Sequence, residues 1–198
     1  MQCHRSVAAL AFALVLGMSF ATSFTLAPNE AEARYRVREQ LAGSSFPSDA
    51  IGSTRNVQGI IHLDGDGAVG PGSRIDVDVA TLASDQQRRD AFLQRSVLQT
   101  NAHPSVTFVP QRIDGIVLPL PTEGEGENLI HGELTIRGVT RPATWSATVV
   151  YEPDGVSLRA TTTFTFADFD MTKPRVASVL SVADEITLEL DAIVIESR

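Results

Sequence analysis

The chain has 198 residues, of which 43% are hydrophobic, and its formal net charge is −8 at neutral pH. That length suits one good-sized domain, and the apolar fraction is enough to build its core. An acidic protein with an isoelectric point of about 4.9 is a poor match for nucleic acid or anionic membrane surfaces, because both repel negative charge. Composition therefore argues against a polyanion-binding protein.

An apolar run from Val7 to Phe20 follows a short basic head, and small residues come after it. This arrangement is typical of a secretory signal peptide, and the run is short for a membrane span, which needs about 20 apolar residues. Cleavage after Ala21 competes with cleavage after Ala33, and we place the cut near Ala21. Residues 1–21 are interpreted as a leader and 22–198 as one domain exported to the periplasm or the medium. A retained N-terminal anchor is the alternative.

The only cysteine, Cys3, lies in that leader. The remaining domain has no thiol, so disulfides, thiol catalysis and cysteine-based metal sites are excluded from it. An exported domain without disulfides has to be held together by its core.

Short alternating segments separated by turns make up most of the domain. Hydrophobic and polar residues alternate along each segment, so every second side chain would face the same side of a sheet. The pattern predicts strands at 57–63, 75–80, 106–109, 130–137, 143–151, 157–166 and 186–194. Period-two patterning with regular turns indicates an antiparallel barrel or sandwich.

One segment, Asp85–Leu98, breaks this period. Its apolar residues stand at helical spacing, namely Phe92, Leu93 and Val97. A capping residue is available in Ser84 or Asp85. We therefore expect one short helix that lies across an opening or an edge of the β structure.

Residues with catalytic potential are few and scattered. The histidines of the domain, His62, His103 and His131, fall on separate predicted elements, where surface or turn roles suit them better than a metal site. Neither a serine-hydrolase, a zinc-protease nor a phosphate-loop motif occurs, and no cofactor is predicted. Asp168 and Asp170 stand together at a strand end, where two carboxylates can do acid–base chemistry but also commonly cap a turn.

The segment Gly132–Pro142 reads Gly-Glu-Leu-Thr-Ile-Arg-Gly-Val-Thr-Arg-Pro. It begins as an alternating strand, breaks at Gly138 and restarts as a second strand past Pro142. Two such runs joined by a short turn predict a β-hairpin with one apolar face. Nothing in the segment is a nucleophile or a metal ligand cluster, which favours binding over catalysis.

This hairpin, together with the segments 78–90 and 102–108 that precede it, resembles the YceI-like family of exported lipid- and polyisoprenoid-binding proteins. Phe24–Val37 resembles the opening strand of that family, which is the reason to disfavour cleavage after Ala33. The resemblance runs over nearly the whole mature chain.

The resemblance implies an all-β fold, an extended eight-stranded antiparallel barrel that is lipocalin-like and carries one short helix. It further implies non-enzymatic binding, carriage or sequestration of an isoprenoid, an isoprenoid quinone or another long-chain lipid in an apolar cavity. The inward residues of the alternating strands then become the expected cavity lining: Tyr35, Val57, Ile61, Val77, Val79, Phe108, Leu134, Ile136, Trp145, Val149, Phe164, Phe166 and Leu188. Arg88 and Arg89 are candidates for contacting a polar head group at the mouth.

Two departures from the family pattern concern the connections. The segments 40–56 and 118–127 are longer than the family pattern and are expected to reshape a barrel mouth. Their glycine and proline residues predict loops at 42–56 and 115–128. Alternatives stay open at this point. Small inward residues leave room for a ligand, but the same side chains could instead fill the barrel of an interaction domain. A further alternative is an enzyme that uses Asp168 and Asp170. The sequence also leaves open whether the protein forms a homodimer.

Overall fold

A computed structural model describes residues 22–197, and the predicted leader lies outside them. Within that range one antiparallel sheet closes into a barrel, because its last strand pairs with its first. A short helix, α1 (Gln87–Phe92), runs into a π-helical turn at Leu93–Val97. The strands are β1 (Thr22–Leu41), β2 (Ser48–Thr54), β3 (Val57–Leu63), β4 (Arg74–Asp78), β5 (Ala83–Ser84), β6 (Ser105–Asp114), β7 (Gly124–Ile136), β8 (Val139–Glu152), β9 (Gly155–Thr165) and β10 (Val179–Glu196).

The barrel is eight-stranded because two of its long strands are interrupted. The first part of β1 pairs with β3 and its second part with β2, so β2 and β3 lie end to end. In the same way β4 pairs with β3 while β5 pairs with β2. Along its other side β1 pairs with β10, which closes the barrel. The expected eight-stranded antiparallel barrel with one short helix is confirmed.

The hairpin that stands out in the sequence joins β7 to β8 through two residues. Arg137 and Gly138 both have positive φ, 54° and 76°. A two-residue loop of this kind matches the twist of the paired strands, and glycine reaches the second position without strain. A side chain at Gly138 would also come within 3.3 Å of the His103 ring, so His103 packs against this turn.

The helix differs from its prediction in length and start. It is capped at Gln86, not at Ser84 or Asp85. Ser84 belongs instead to β5, where it pairs with Gly52, and its hydroxyl donates to Asp90 at 2.5 Å. Because pairing with β2 holds Ser84 in an extended conformation, the helix can begin only after it.

Both segments predicted to be loops contain strand residues. Ser48–Thr54, inside 42–56, forms β2, and residues 124–128 open β7. The first of these strands was predicted to be a loop because it contains glycine. A Cβ at Gly52 would lie 2.4 Å from Cε1 of Tyr35, so glycine serves here to let the tyrosine ring lie across the strand and does not mark a turn.

Arginine–carboxylate pairs cover the outer side of the closing strands. Arg34 Nε and Arg36 Nε donate to the two carboxylate oxygens of Glu189 at 3.0 and 2.9 Å. Asp191 accepts from Arg34 and, at 2.8 Å, from Arg159 Nε. The hydrogen bond from Arg36 is the main reason that the pKa of Glu189 lies below its usual value, and burial opposes it only in part.

We expect this network to make the stability of the barrel depend on acid. The pKa of Glu189 is lower in the folded than in the unfolded protein. The carboxylate therefore stabilises the fold above the ordinary glutamate pKa of about 4.5, and this stabilisation is lost as the pH falls towards the pKa of the folded protein. When urea unfolding is measured from pH 6 to pH 3, the free energy of unfolding should therefore decline less steeply for Glu189→Gln than for the native chain. Glu185→Gln changes an exposed carboxylate of the same strand and should not flatten the decline. Equal slopes for all three proteins would contradict the role of the network.

Candidate functional site

A narrow cavity, here called the slot, runs inside the barrel. Its volume is about 150 Å³. On β10 its wall includes Ile186, Leu188 and Leu190, which cover about 14 Å at strand spacing. The slot is therefore elongated, and almost all of the atoms that border it are carbon. Arg34 and Glu189 also border it, but they bond to each other and to neighbours on the closing strands.

The helical segment forms part of the wall of the slot. Leu93, Val97 and Leu98 of the π-helical turn and its exit border the cavity, as does Met171 from the connection before β10. Arg137 Nη1 donates to the Val97 carbonyl oxygen at 3.2 Å, which ties the π-helical turn to the β7–β8 loop. The expectation that the helix covers an opening of the barrel agrees with this arrangement.

Most of the predicted lining residues border the slot. The exceptions are Val57 and Val149, which lie in the barrel wall but not against the cavity. Val149 pairs with Gly126 and Leu158, and of these three residues only Leu158 borders the slot. Alternation along a strand tells which face a residue occupies, but not which inward side chains border the empty space and which pack only against their neighbours, as these two valines do.

Several residues that border the slot could not be predicted from the alternation of strand residues. Met171 lies in an irregular connection, and Leu82 follows the short 3-10 turn that ends β4. Leu93 and Val97 did have a signal, because their helical spacing predicted one buried face. Ala160, which is only 2% exposed, is one of the small inward residues that the alternation predicts to leave space beside larger neighbours.

Two polar atoms in the wall have no hydrogen-bond partner among the described residues. They are the hydroxyl of Tyr35 and the indole nitrogen of Trp145, and both are fully buried. Trp145 packs at a tilt on Phe108, with ring centroids 5.8 Å apart. Burial raises the pKa of Tyr35 to about 12, so its hydroxyl keeps its proton at any physiological pH. Both groups are therefore available as hydrogen-bond donors.

The two head-group candidates have different surroundings. Arg89 is held by two carboxylates: Nη2 donates to Glu39 Oε1 at 2.8 Å and Nη1 donates to Asp85 Oδ1 at 2.5 Å. Glu39 is itself buried at 7% exposure. Arg88 is exposed. The pair Arg89–Glu39 thus fastens α1 to β1, and this use of its guanidinium argues against Arg89 as a contact for a ligand head group.

Removal of the Arg89 side chain should destabilise the protein because Glu39 would remain buried without its partner. We expect Arg89→Ala to lower the free energy of unfolding by about 1–3 kcal/mol, less than for a fully buried pair because Arg89 keeps some contact with water. Arg88→Ala is the matched control and should change it by no more than about 0.5 kcal/mol. Urea unfolding of both variants checks this, and similar values for the two would contradict a structural role of the pair.

The carboxylates considered for catalysis serve the chain itself. Asp168 accepts hydrogen bonds from the Thr165 backbone N–H at 2.6 Å and from its hydroxyl at 2.8 Å. The backbone hydrogen bond lowers the pKa of Asp168, which makes it a poor proton donor near neutral pH. Asp170 follows the short 3-10 turn Phe166–Phe169, and its backbone is left-handed, with φ 52°. The capping role expected from the sequence holds for Asp168.

The other two histidines bind neighbouring side chains. His62 Nδ1 lies 2.8 Å from Ser23 Oγ, and His131 Nε2 lies 3.0 Å from Asp114 Oδ2. Across residues 22–197, no three His, Cys, Asp or Glu side chains cluster as a metal site would require. Over the same range, none of the helices has the length and apolar character to cross a membrane.

An opening, here called the side cleft, separates β8 from β9 next to the slot. Ladder pairing between these strands ends at Ser146 and Thr161, although both strands continue further. Pro142 lies in the part of β8 that pairs with β7 but not with β9, and it has no N–H to donate. The Thr162 hydroxyl donates to the Thr144 carbonyl oxygen at 2.9 Å in place of a ladder bond.

The side cleft reaches the wall of the slot. Its volume is about 610 Å³, and Leu134 and Phe164 border both spaces. Phe164 packs edge-to-face on Phe169, with ring centroids 4.8 Å apart. One aromatic pair and one leucine therefore lie between the exterior and the slot.

Comparisons with known proteins bear on this architecture. A family model described as the YceI-like domain matches residues 24–194. No curated protein sequence matches the chain significantly. A solved polyisoprenoid binding domain from Saccharophagus degradans, 9% identical, has a TM-score of 0.69 over 88% of this chain and 98% of its own. BcnA from Burkholderia cenocepacia, 14% identical, has a TM-score of 0.63 over 85% and 98%. At these identities the two structures show a shared fold.

Proposed function

From the premise that the chain belongs to the YceI-like domain family, we propose that it binds a polyisoprenoid or a similar long-chain lipid, such as an isoprenoid quinone, in the slot. It would carry or sequester this ligand without changing it chemically. The observation that supports the proposal best is an elongated, carbon-lined cavity enclosed by the barrel and the helical segment. The similar fold described as a polyisoprenoid binding domain points in the same direction.

The size of the slot suggests how a long chain would bind. A cavity of about 150 Å³ holds a ligand of roughly benzene size, so a longer ligand has to move side chains aside. Met171 borders the slot, and methionine adapts readily to new neighbours because its side chain is flexible. Each Å² of apolar ligand surface removed from water contributes about 25 cal/mol, which favours such an opening.

Lipid extraction and native mass spectrometry of the protein purified from its own host test the proposal. We expect a bound apolar molecule of defined mass, or stoichiometric uptake of a prenyl lipid when the emptied protein is supplied with one. Recovery of empty protein in repeated preparations, together with no uptake of prenyl lipids, would contradict the function.

We also propose that the protein works outside the cytoplasm. The apolar run Val7–Phe20 supports export, and Ala33 lies within β1, paired with both Leu190 and Thr54. Cleavage after Ala33 would remove half of that strand, so a cut near Ala21 is the one that keeps the barrel whole. Fusion of the full chain to a reporter that is active only after export should give activity, and an inactive, fully cytoplasmic fusion would contradict export.

A further inference from the structure

We infer that the slot selects ligands that carry a neutral oxygen acceptor, such as a carbonyl, ester or ether oxygen, which accepts a hydrogen bond from Tyr35 or Trp145. This inference rests on the proposed function and names a chemical feature of its ligand. Both side chains border the slot, and their polar hydrogens have no partner among the described residues.

The unpartnered donors need an explanation because most buried polar groups in native proteins are paired. An indole N–H can only donate, and Trp145 is 9% exposed, so bulk water does not satisfy it. The phenol of Tyr35 lies near Ser84, Arg89 and Asp90, but none of them meets hydrogen-bond geometry with its hydroxyl. Arg89 bonds to Glu39, and Ser84 donates to Asp90. A ligand oxygen in the slot would supply the acceptor that the chain does not.

The two donors stand at related positions in the barrel wall. Tyr35 pairs with Leu188, and Leu188 pairs with Thr162. Ser146 pairs with Thr161, so the next residue, Trp145, comes level with Thr162. The donors therefore lie on one row of cross-strand neighbours through β1, β10, β9 and β8, and both border the slot. Since the carbon-lined slot offers no unpaired cation among its bordering residues, a neutral acceptor fits it better than a charged phosphate, whose burial is costly.

Farnesylacetone, a neutral isoprenoid ketone, and the hydrocarbon with a methylene in place of its carbonyl are suitable probes. We expect the native protein to prefer the ketone, and expect Tyr35→Phe or Trp145→Phe to reduce that preference about two- to tenfold. Tyr151→Phe removes the only other tyrosine hydroxyl, outside the slot lining, and should preserve the preference. Unfolding curves of each variant establish that it is folded.

A second readout does not depend on the variants. Trp145 is the only tryptophan, so the protein gives a single indole N–H signal by NMR, and this signal should move downfield with the ketone and not with the hydrocarbon. A ketone preference that survives in both variants, or an indole signal that responds equally to both probes, would overturn the inference while lipid binding stands. A larger effect of Tyr35→Phe on farnesyl phosphate than on the ketone would also overturn it. Absence of binding by either probe would instead reject the proposed function, and this inference with it.

A separate observation, the interrupted β8–β9 ladder, carries a second inference. We propose that the side cleft is the entrance through which an apolar chain reaches the slot, with Phe164 as its gate. Phe164 borders both spaces and rests on Phe169, so rotation of this ring would join them. Few backbone hydrogen bonds oppose local separation here because the ladder has already ended at Ser146 and Thr161.

A covalent bridge across the cleft tests the entrance. Thr144→Cys and Thr163→Cys place thiols on the exposed faces of β8 and β9, in a domain with no other cysteine, and a short bis-maleimide with a cleavable spacer can alkylate both thiols and so join them. We expect the bridge to slow farnesylacetone loading at least tenfold and its cleavage to restore the rate. The same bridge between Val150→Cys and Ser157→Cys, where the ladder is intact, is the control and should not slow loading. Equal loading rates with and without the Thr144–Thr163 bridge would overturn the entrance, even where the ligand binds.

Discussion

Ala160→Phe should abolish or severely weaken lipid binding while leaving a folded barrel. Ala160 is buried in β9 and borders the slot, so the new phenyl ring would occupy space of roughly benzene size, which is what a cavity of about 150 Å³ can hold. The ligand would lose that space and the contacts made there. We expect the affinity for farnesylacetone to fall at least ~100-fold, equivalent to about 2.7 kcal/mol.

Thr148→Phe controls for the addition of a ring. Thr148 is exposed on the outer face of β8, and the substitution should leave the affinity within about twofold. Ala160→Phe should cost no more than about 1–3 kcal/mol of stability from overpacking, which thermal unfolding can verify. Unchanged affinity of a folded Ala160→Phe variant would show that the ligand does not occupy the slot.

Leu134→Ala should produce a large loss of stability. Leu134 is 1% exposed and belongs to the core cluster, and it borders both the slot and the side cleft. Its truncation removes buried methyl groups and enlarges an existing cavity, which typically costs about 2–5 kcal/mol. Urea unfolding of lipid-free protein measures the difference.

Leu129→Ala is the matched control on the same strand. Leu129 is 44% exposed because it faces outward where Leu134 faces inward, so its truncation should cost no more than about 0.5 kcal/mol. A loss below about 1 kcal/mol for Leu134→Ala, or similar losses for the two leucines, would mean that Leu134 is not packed as the structure shows.

The contrast between Leu129 and Leu134 illustrates what the sequence could predict. Alternation on β7 places the two leucines on opposite faces, and the structure agrees. The same rule predicted the inward faces of β8, β9 and β10, and with them most of the slot lining. Because the side-chain period of a strand is two residues, the face of a residue is local information that one sequence contains.

A single strand does not reveal which of its inward side chains border an empty space, or which residues distant in sequence its side chains contact. Val149 faces inward as predicted, but it does not border the slot, although its cross-strand partner Leu158 does. Arg89 was a sequence-based candidate for contacting a ligand head group, whereas Glu39, 50 residues away, binds its guanidinium. Likewise, only the three-dimensional structure shows that the buried Tyr35 hydroxyl and Trp145 indole nitrogen lack hydrogen-bond partners among the described residues.

The central claim, that a lipid chain occupies the barrel interior, is tested most directly by the fluorescence of Trp145. This residue is the only tryptophan, and it forms part of the slot wall. Titration with a prenyl or fatty ligand brominated along its chain should quench the emission saturably at one ligand per barrel, since bromine quenches only at contact distance. The Ala160→Phe variant should resist the quencher. Emission that stays unchanged as the brominated ligand binds, or quenching that never saturates, would contradict a ligand inside the barrel.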